Sequence, residues 1–188
     1  MTIGLQGRQA LAISRAVTAE PSLIRTLYHG TTRASAQALC GGGKVDLARC
    51  SQFSDFGRGF YMTSNPDQAR TWATVVAGRP RNVDTNGAAV IATRVDFSDL
   101  SKLRILAFAN TWAKQDYNGF WSVIEWCRKG NKLPDPGRRN EPWDIVIGQV
   151  AYTWGPARPR EVFSAYDQVA FVSDRSLDLL TKQGFWLV

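Results

Sequence analysis

Between residues 56 and 63 the chain reads Phe56-Gly57-Arg58-Gly59-Phe60-Tyr61-Met62-Thr63. Two glycines followed at once by bulky residues predict a turn that leads into a short strand beginning near Gly59. One residue further on, the segment Asn65-Pro66-Asp67-Gln68 predicts a helix start, because it supplies a capping side chain, a proline at the first helical position and an acidic residue near the positive end of the helix dipole. We expect this helix to end near Gly78 and to have one apolar face, formed by Ala69, Trp72, Ala73 and Val76.

Outward from this strand and helix, short strands and helices alternate in mixed order. Strands are predicted at Leu27–Thr31, Ala89–Phe97, Trp143–Ala151 and Gln168–Val172, and helices at Thr32–Leu39, Asn110–Gly130 and Asp174–Gln183. The strands are short, and no GxGxxG segment follows any of them, so a Rossmann dinucleotide site is not supported. The pattern predicts an α+β fold.

The length and composition fit one globular domain. With 188 residues, of which 44% are hydrophobic, the chain can bury one sizeable core. We expect the domain to span residues 23–188, preceded by an N-terminal tail or extra helix at 1–22. Residues 1–19 carry Arg8 and Arg15 without an acid, a pattern also compatible with a mitochondrial leader, although a surface tail or an extra helix is the favoured interpretation. No stretch approaches the roughly 18 apolar residues of a membrane span, so we expect no membrane association.

Charge and cysteine content narrow the class of protein further. The formal net charge of +7 suits attraction to nucleic acid or to dinucleotide phosphates, but the basic residues are scattered along the chain. Cys40, Cys50 and Cys127 form no CxxC pair, which argues against a disulfide framework or a zinc site, and one histidine excludes a His-rich metal site. We therefore expect no metal and a reducing compartment: the cytoplasm, or another cell into which the protein is exported as an effector.

Three separated segments together carry a family resemblance. Leu27-Tyr28-His29-Gly30-Thr31, Phe56-Gly57-Arg58-Gly59-Phe60-Tyr61 and Tyr166-Asp167-Gln168-Val169-Ala170-Phe171, with Trp72 eleven positions after Tyr61, resemble the NAD-binding core of ADP-ribosyltransferases. The similarity is to the branch whose motif order is His, Tyr, then Glu or Gln, and closest to a little-studied bacterial and fungal subfamily with Gln at the third position. It implies two packed, mostly antiparallel sheets around a central NAD cleft, and transfer of ADP-ribose from NAD, as co-substrate, to a macromolecule.

The resemblance also implies roles for individual residues. His29 would donate a hydrogen bond to a ribose hydroxyl, and Gly30 would offer its backbone to the nicotinamide carboxamide, with Thr31 as an adjacent polar contact. Tyr61 and Trp72 would hold the pyridinium ring between them, which is worth on the order of 1–2 kcal/mol in a desolvated site. Arg58 would meet the pyrophosphate. Trp72 also has an ordinary interpretation, as part of the apolar face of its helix.

At the third motif this chain has Gln168 where many family members have Glu. A glutamine can accept a hydrogen bond from a ribose hydroxyl but supplies no negative charge, so single transfer or NAD hydrolysis is expected rather than chain elongation. Asp167 should not replace Gln168, because successive strand residues point to opposite faces. For deprotonation of the incoming nucleophile we consider Glu161, predicted to lie in the loop before the third strand; a solvated loop carboxylate is the favoured alternative.

Other functions compatible with the sequence belong to different classes. One is a catalytically silent module that binds NAD or ADP-ribose, with Gln168 marking the loss of chemistry, and another is an NAD glycohydrolase. A basic protein that binds or modifies nucleic acid is a third. The acceptor, protein or nucleic acid, and any partner that neutralises a toxin-like activity are not predicted by the sequence.

Overall fold

A computed structural model describes residues 24–82, 86–96, 102–108, 114–133, 143–153 and 160–188. Within them lie four α-helices and seven strands. The helices are α1 (Arg33–Cys40), α2 (Pro66–Ala77), α3 (Lys114–Cys127) and α4 (Asp174–Gln183). The strands are β1 (Ile24–Thr32), β2 (Phe60–Met62), β3 (Ala88–Asp96), β4 (Ile105–Ala107), β5 (Ile145–Thr153), β6 (Glu161–Phe171) and β7 (Trp186–Leu187).

The strands form two sheets that are mostly antiparallel, so the α+β class predicted from the sequence is confirmed. One sheet has the order β1-β3-β7 and the other β2-β6-β5-β4, with β4 and β5 as its parallel pair. In the described part of the chain, one bridge, between Tyr28 and Thr63, links the sheets; the backbone N–H of each residue donates to the carbonyl of the other, at 2.8 and 2.9 Å.

Local capping signals set the bounds of the two helices that flank the site. In α2 the Asn65 side chain accepts from the backbone N–H groups of Asp67 and Gln68, and Gly78 closes the helix. In α4 Ser173 and Ser176 satisfy each other's backbone N–H groups, and Gly184 ends the helix. Both helices therefore begin and end where the sequence indicates.

Three apolar clusters hold these layers together. The first lies between the two sheets and includes Leu27, Phe60, Ile91 and Phe171. The second lies on the outer face of the β2–β6–β5–β4 sheet, where Trp121 of α3 packs with Phe56 and Val146. The third is small and joins α2 to β1 and β3 through Ala69, Ala73 and Val90. The candidate site lies where the first and third clusters meet the second.

Several sequence predictions need correction or concern residues outside the described ranges. The third-motif strand begins at Glu161, not at Gln168, so Glu161 is a strand residue and not a loop residue. Strands β4 and β7 were not predicted, because three and two residues are too short to show a pattern. The proposed tail at 1–22 lies outside the described residues. No helix in the described ranges has the length and apolar character needed to cross a membrane.

Candidate functional site

The candidate site is a gap between β1 and β2. These strands pair only at Tyr28 and Thr63; two residues further along each strand Gly30 lies opposite Tyr61, and the pairing does not continue. Tyr28 uses its N–H and C=O for Thr63, so by the alternation of an antiparallel strand those of Gly30 point to the same side, into the gap. The site therefore starts from main-chain groups that are directed into a strand separation.

His29 spans this separation with its side chain. Its Nδ1 lies 2.6 Å from the carbonyl oxygen of Tyr61, and its ring lies 4.2 Å from that of Phe60. Because a carbonyl oxygen only accepts, Nδ1 carries the proton. Burial lowers the pKa of His29 to about 4, against the opposing effect of the Tyr61 carbonyl, so the ring is neutral at pH 7. Its Nε2 is then an acceptor, which reverses the donor role implied by the resemblance.

Gly30 has a structural reason to be glycine that the sequence analysis did not identify. A Cβ at this position would lie 2.1 Å from the carbonyl oxygen of Ala69 and 2.6 Å from the backbone nitrogen of Ala73. Helix α2 thus packs directly on the backbone of β1. The missing side chain makes room for the helix, while the N–H and C=O of Gly30 remain directed into the gap.

Tyr61 anchors the turn that precedes its own strand. Its hydroxyl accepts from the backbone N–H of Phe56 at 2.9 Å and donates to the carbonyl of Gly57 at 2.8 Å. Burial raises the pKa of Tyr61 well above its ordinary value, so the phenol keeps its proton. The ring is only partly buried, against the second apolar cluster. The tyrosine therefore combines a fixed hydroxyl with an accessible ring.

Gln168 lies on β6, on the same face of the sheet as Tyr61. Tyr61 pairs with Ala170, so Gln168 is its diagonal neighbour, with Cα atoms about 7–8 Å apart. Its Nε2 donates to Asp55 Oδ2 at 2.8 Å and to the carbonyl of Gln149 at 2.9 Å. Two acceptors at the nitrogen fix the orientation of the amide, and Oε1 has no hydrogen-bond partner among the described residues. The atom left for a ligand is an acceptor, as the sequence analysis required.

Asp55 was not recognised as a site residue from the sequence. It is buried and receives the Nε of Arg128 at 2.6 Å, the same arginine's Nη2, the backbone N–H of Ala151 at 3.0 Å and the amide of Gln168. In the sequence Asp55-Phe56-Gly57 resembles only a kinase triplet whose companion motifs are lacking. A separation of 113 residues from Gln168 left no local signal of their contact.

Asp167 points away from Gln168, as the alternation of a strand predicts. Its carboxylate lies 2.5 Å from the Thr63 hydroxyl and accepts from the backbone N–H of Ser64 at 3.0 Å, while its carbonyl accepts from the side chain of Gln68 at 2.8 Å. These contacts fasten the start of α2 to β6. Asp167 therefore sets the geometry of the bridge beside the gap.

Trp72 is not a core residue, because 51% of it is exposed. It lies beside the face of α2 that carries Ala69 and Ala73, not within it. The guanidinium of Arg79 lies over the indole, 5.3 Å from the ring centroid. The apolar interpretation of Trp72 is thus wrong, and the indole is an accessible flat surface on the helix that packs against Gly30.

Arg58 lies apart from the gap. Its guanidinium donates to the carbonyls of Leu47 and Ala48, at 3.3 and 2.7 Å, and to the side chain of Gln52 at 3.0 Å. It borders a cavity of about 500 Å³ whose other lining residues include Phe56, Val172 and Asp174 but not His29, Gly30, Tyr61 or Gln168. Arg58 therefore holds the turn from outside and is separated from the predicted ligand site.

Glu161 and Thr31 complete the placement of the predicted residues. Glu161 pairs with Thr153 and Gln168 with Gly148, so five residues of β5, about 16 Å, separate Glu161 from Gln168. The structure thus does not bring Glu161 to the other site residues. Thr31 is buried in β1 next to Gly30. In the described ranges no group of three or more His, Cys, Asp or Glu side chains is arranged to hold a metal ion.

Comparison with known proteins gives a family without an assigned activity. The model of a family described as "Protein of unknown function (DUF3990)" matches residues 25–154. That span includes β1, β2 and α2, and hence His29, Gly30, Tyr61 and Trp72, together with Asp55. No curated protein matches the chain.

Proposed function

Since the chain belongs to the family of unknown function DUF3990, we propose a function from the geometry of its site: it binds NAD in the gap between β1 and β2, cleaves the nicotinamide–ribose bond and transfers ADP-ribose to a macromolecular acceptor. The fold we propose for it is correspondingly ADP-ribosyltransferase-like, with the two linked sheets forming the walls of the cleft. The proposed acceptor is a protein or a nucleic acid.

The observation that carries the proposal is the separation of the two strands at Gly30 and Tyr61. Gly30 directs one N–H and one C=O into the gap. A primary carboxamide offers the complementary pair, an oxygen that accepts and an NH₂ that donates. The Tyr61 ring beside the gap provides a flat face for the pyridine ring that bears such an amide. Nicotinamide has this combination of a flat cationic ring and a carboxamide.

The remaining polar atoms of the site fit a ribose. His29 Nε2 and Gln168 Oε1 both accept hydrogen bonds, and the nicotinamide ribose of NAD has two hydroxyls that donate. Each acceptor is held by a contact on its other side, His29 by Tyr61 and Gln168 by Asp55 and Gln149. Such preorganisation lowers the cost of orienting the sugar.

The reaction needs little more than this arrangement. When the bond from ribose C1′ to the pyridinium nitrogen breaks, its electron pair goes to that nitrogen and nicotinamide leaves neutral, so no acid is required. The remaining oxocarbenium-like centre takes a lone pair from the acceptor or from water, as in glycoside hydrolysis, and the nucleophile's proton passes to solvent. Acceptor atoms close to the ribose stabilise the positive charge that develops there.

The test is release of nicotinamide from NAD, with and without cell lysate, by wild-type protein and His29→Asn. Asparagine places an N–H donor near the position of Nδ1 and keeps the bond to the Tyr61 carbonyl, but it lacks Nε2. We expect the variant to remain folded by circular dichroism and to lose at least about 10-fold in turnover. Release only with lysate indicates transfer, and release without it indicates hydrolysis or self-modification. Calorimetric binding of NAD without release would indicate a silent binding module; neither binding nor release would refute the proposal.

A further inference from the structure

We propose that Asp55 is the positioning residue for Gln168, orienting its amide and supplying the negative charge that glutamine lacks at this position. The inference rests on the proposed function for its catalytic consequence, but the contact between the two residues is independent of it. Asp55 would act through Gln168 without touching NAD.

The contacts of Asp55 all come from hydrogen-bond donors. Its Oδ1 receives Arg128, and its Oδ2 receives both the backbone N–H of Ala151 and the amide of Gln168. A carboxylate with these partners is held in one rotamer, because every partner is a donor. Among these partners, Gln168 has a further polar atom, Oε1, that is unbonded within the described residues.

Donation from Nε2 to a carboxylate has an electronic effect at the other end of the amide. The anion draws the N–H outward and increases the negative partial charge on Oε1 by polarisation, in the way that hydrogen-bonded chains strengthen one another. Oε1 is the atom assigned to the ribose hydroxyl. The pair therefore places a full negative charge one hydrogen bond behind the acceptor instead of at it.

The surroundings of Asp55 are built to hold it. Phe56 is buried in the second apolar cluster, and its ring lies so close to β5 that a Cβ on Gly148 would be 2.9 Å from Cζ. The Tyr61 hydroxyl binds the backbone of Phe56 and Gly57 on the other side. Asp55 is thus fixed by the turn that follows it, independently of its bond to Gln168.

This arrangement explains why the third motif carries Gln in this chain. A glutamate at 168 would direct a second carboxylate at Asp55 Oδ2, across the 2.8 Å now occupied by an N–H donor. Two carboxylates at that distance do not both ionise, and one keeps a proton. The charged or titratable groups around Asp55 are Arg128, Tyr61 and Cys127, of which Arg128 alone is cationic and already pairs with Oδ1. One arginine does not neutralise both acids.

The experiment compares Gln168→Glu with Gln37→Glu, the same substitution on the exposed surface of α1, in wild-type and Asp55→Asn backgrounds. The carboxylic acid of Gln168→Glu keeps its proton in the folded protein above the pH of about 4.3 at which the unfolded chain releases it. Its stability therefore falls as pH rises. We expect the Tm of this variant to fall by about 5–10 °C between pH 5 and pH 8 beyond the change seen with Gln37→Glu, and the excess to disappear when Asp55 is Asn. Equal pH profiles for the two glutamate variants would overturn the coupling.

The catalytic consequence is measured with Asp55→Asn, using the exposed Asp67→Asn as the charge-matched control. We expect kcat for nicotinamide release to fall about 10- to 100-fold while KM for NAD changes less than about 3-fold, since misorientation of Oε1 acts at the transition state. Wild-type kcat in folded Asp55→Asn would overturn the inference. If wild-type protein neither binds nor cleaves NAD, the proposed function and this catalytic consequence are both refuted. The pH comparison uses no NAD and would still decide whether residues 55 and 168 are coupled.

Discussion

Substitution of Tyr61 by phenylalanine separates the role of its hydroxyl from the role of its ring. The hydroxyl holds the Phe56–Gly57 turn through two hydrogen bonds, whereas the ring is the surface assigned to nicotinamide. Phenylalanine keeps the ring and removes the hydroxyl. We therefore expect Tyr61→Phe to lose stability while retaining NAD affinity, and Tyr61→Ala to lose both.

The expected loss of stability follows from the groups left without partners. The N–H of Phe56 and the carbonyl of Gly57 belong to buried residues, and each lost hydrogen bond costs about 0.5–1.5 kcal/mol net, more where a buried group stays unpaired. The sum is about 2–3 kcal/mol in the free energy of unfolding, or about 5–10 °C in Tm for a chain of this length. The ring contribution to NAD binding, about 1–2 kcal/mol, corresponds to about a 5- to 30-fold change in Kd that only Tyr61→Ala should show.

The assay is denaturant unfolding combined with calorimetric titration of NAD for wild type, Tyr61→Phe and Tyr61→Ala. Tyr152→Phe is the matched control, because that tyrosine is exposed and its hydroxyl has no hydrogen bond in the described part of the chain, so its stability should change by less than about 0.5 kcal/mol. An unchanged stability of Tyr61→Phe together with an NAD affinity as poor as that of Tyr61→Ala would refute the reasoning, since the hydroxyl would then serve the ligand and not the turn.

Three further predictions follow from individual contacts. Gly30→Ala should cost about 3 kcal/mol or more in unfolding free energy, because its Cβ would lie 2.1 Å from the backbone of Ala69 in α2. Gly78→Ala, at the end of α2 in a helical backbone conformation, should change the unfolding free energy by about 0.5 kcal/mol or less. Equal losses in the two variants would contradict the close packing of α2 on Gly30. Trp72→Ala should cost about 1 kcal/mol or less, the value of an exposed cation–π contact with Arg79, and a loss of 3–5 kcal/mol in chemical denaturation would show that the indole is buried. The free energy of unfolding should fall by up to about 3 kcal/mol as pH drops from 6.5 to 4. The reason is that the unfolded chain takes up a proton at His29, whereas His29 in the folded protein, with a pKa of about 4, stays unprotonated. Denaturation curves at pH 7, 5.5 and 4.5 measure this loss, and His29→Asn should not show it.

The parts of the fold that the sequence predicts are those with strong local signals. Helix α2 was placed by the cap Asn65 and by Gly78, and the end of α4 by Gly184, since such signals lie next to the helix ends that they define. The start of β6 was placed seven residues too late, because pairing with β5 and not its own composition defines Glu161 to Tyr166 as strand. The apolar interpretation of Trp72 was wrong for a related reason. Helical spacing places this residue near the apolar face of α2, but only the packing of α2 on the sheet shows where that face ends.

The candidate site divides in the same way. His29, Tyr61 and Gln168 could be proposed because each lies in a short, distinctive segment, whereas the acceptor role of His29 and the carboxylate behind Gln168 could not. Nδ1 of His29 is engaged by a carbonyl 32 residues away, and the amide of Gln168 by a carboxylate 113 residues away. These long-range contacts turn an expected donor into an acceptor and make Asp55 a site residue, and no local pattern contains them.

The width of the gap depends on two separately packed halves of the molecule. Gly30 is held by α2 through the third apolar cluster, and Tyr61 and Gln168 are held by the second, with Phe56 at its centre. Among the described residues, three sets of contacts tie the halves together beside the gap: the Tyr28–Thr63 bridge, the bond from His29 to the Tyr61 carbonyl, and the contacts of Asp167 with the start of α2. Because the bridge fixes one end of the separation, the His29 bond sets how far Tyr61 stands from Gly30. His29→Ala removes this bond and should therefore weaken NAD binding in two ways, through the changed spacing of the walls and through the lost Nε2. His29→Asn preserves the bond and should bind NAD more tightly than His29→Ala. Equal affinities of the two variants would mean that the gap is held open without the His29 bond.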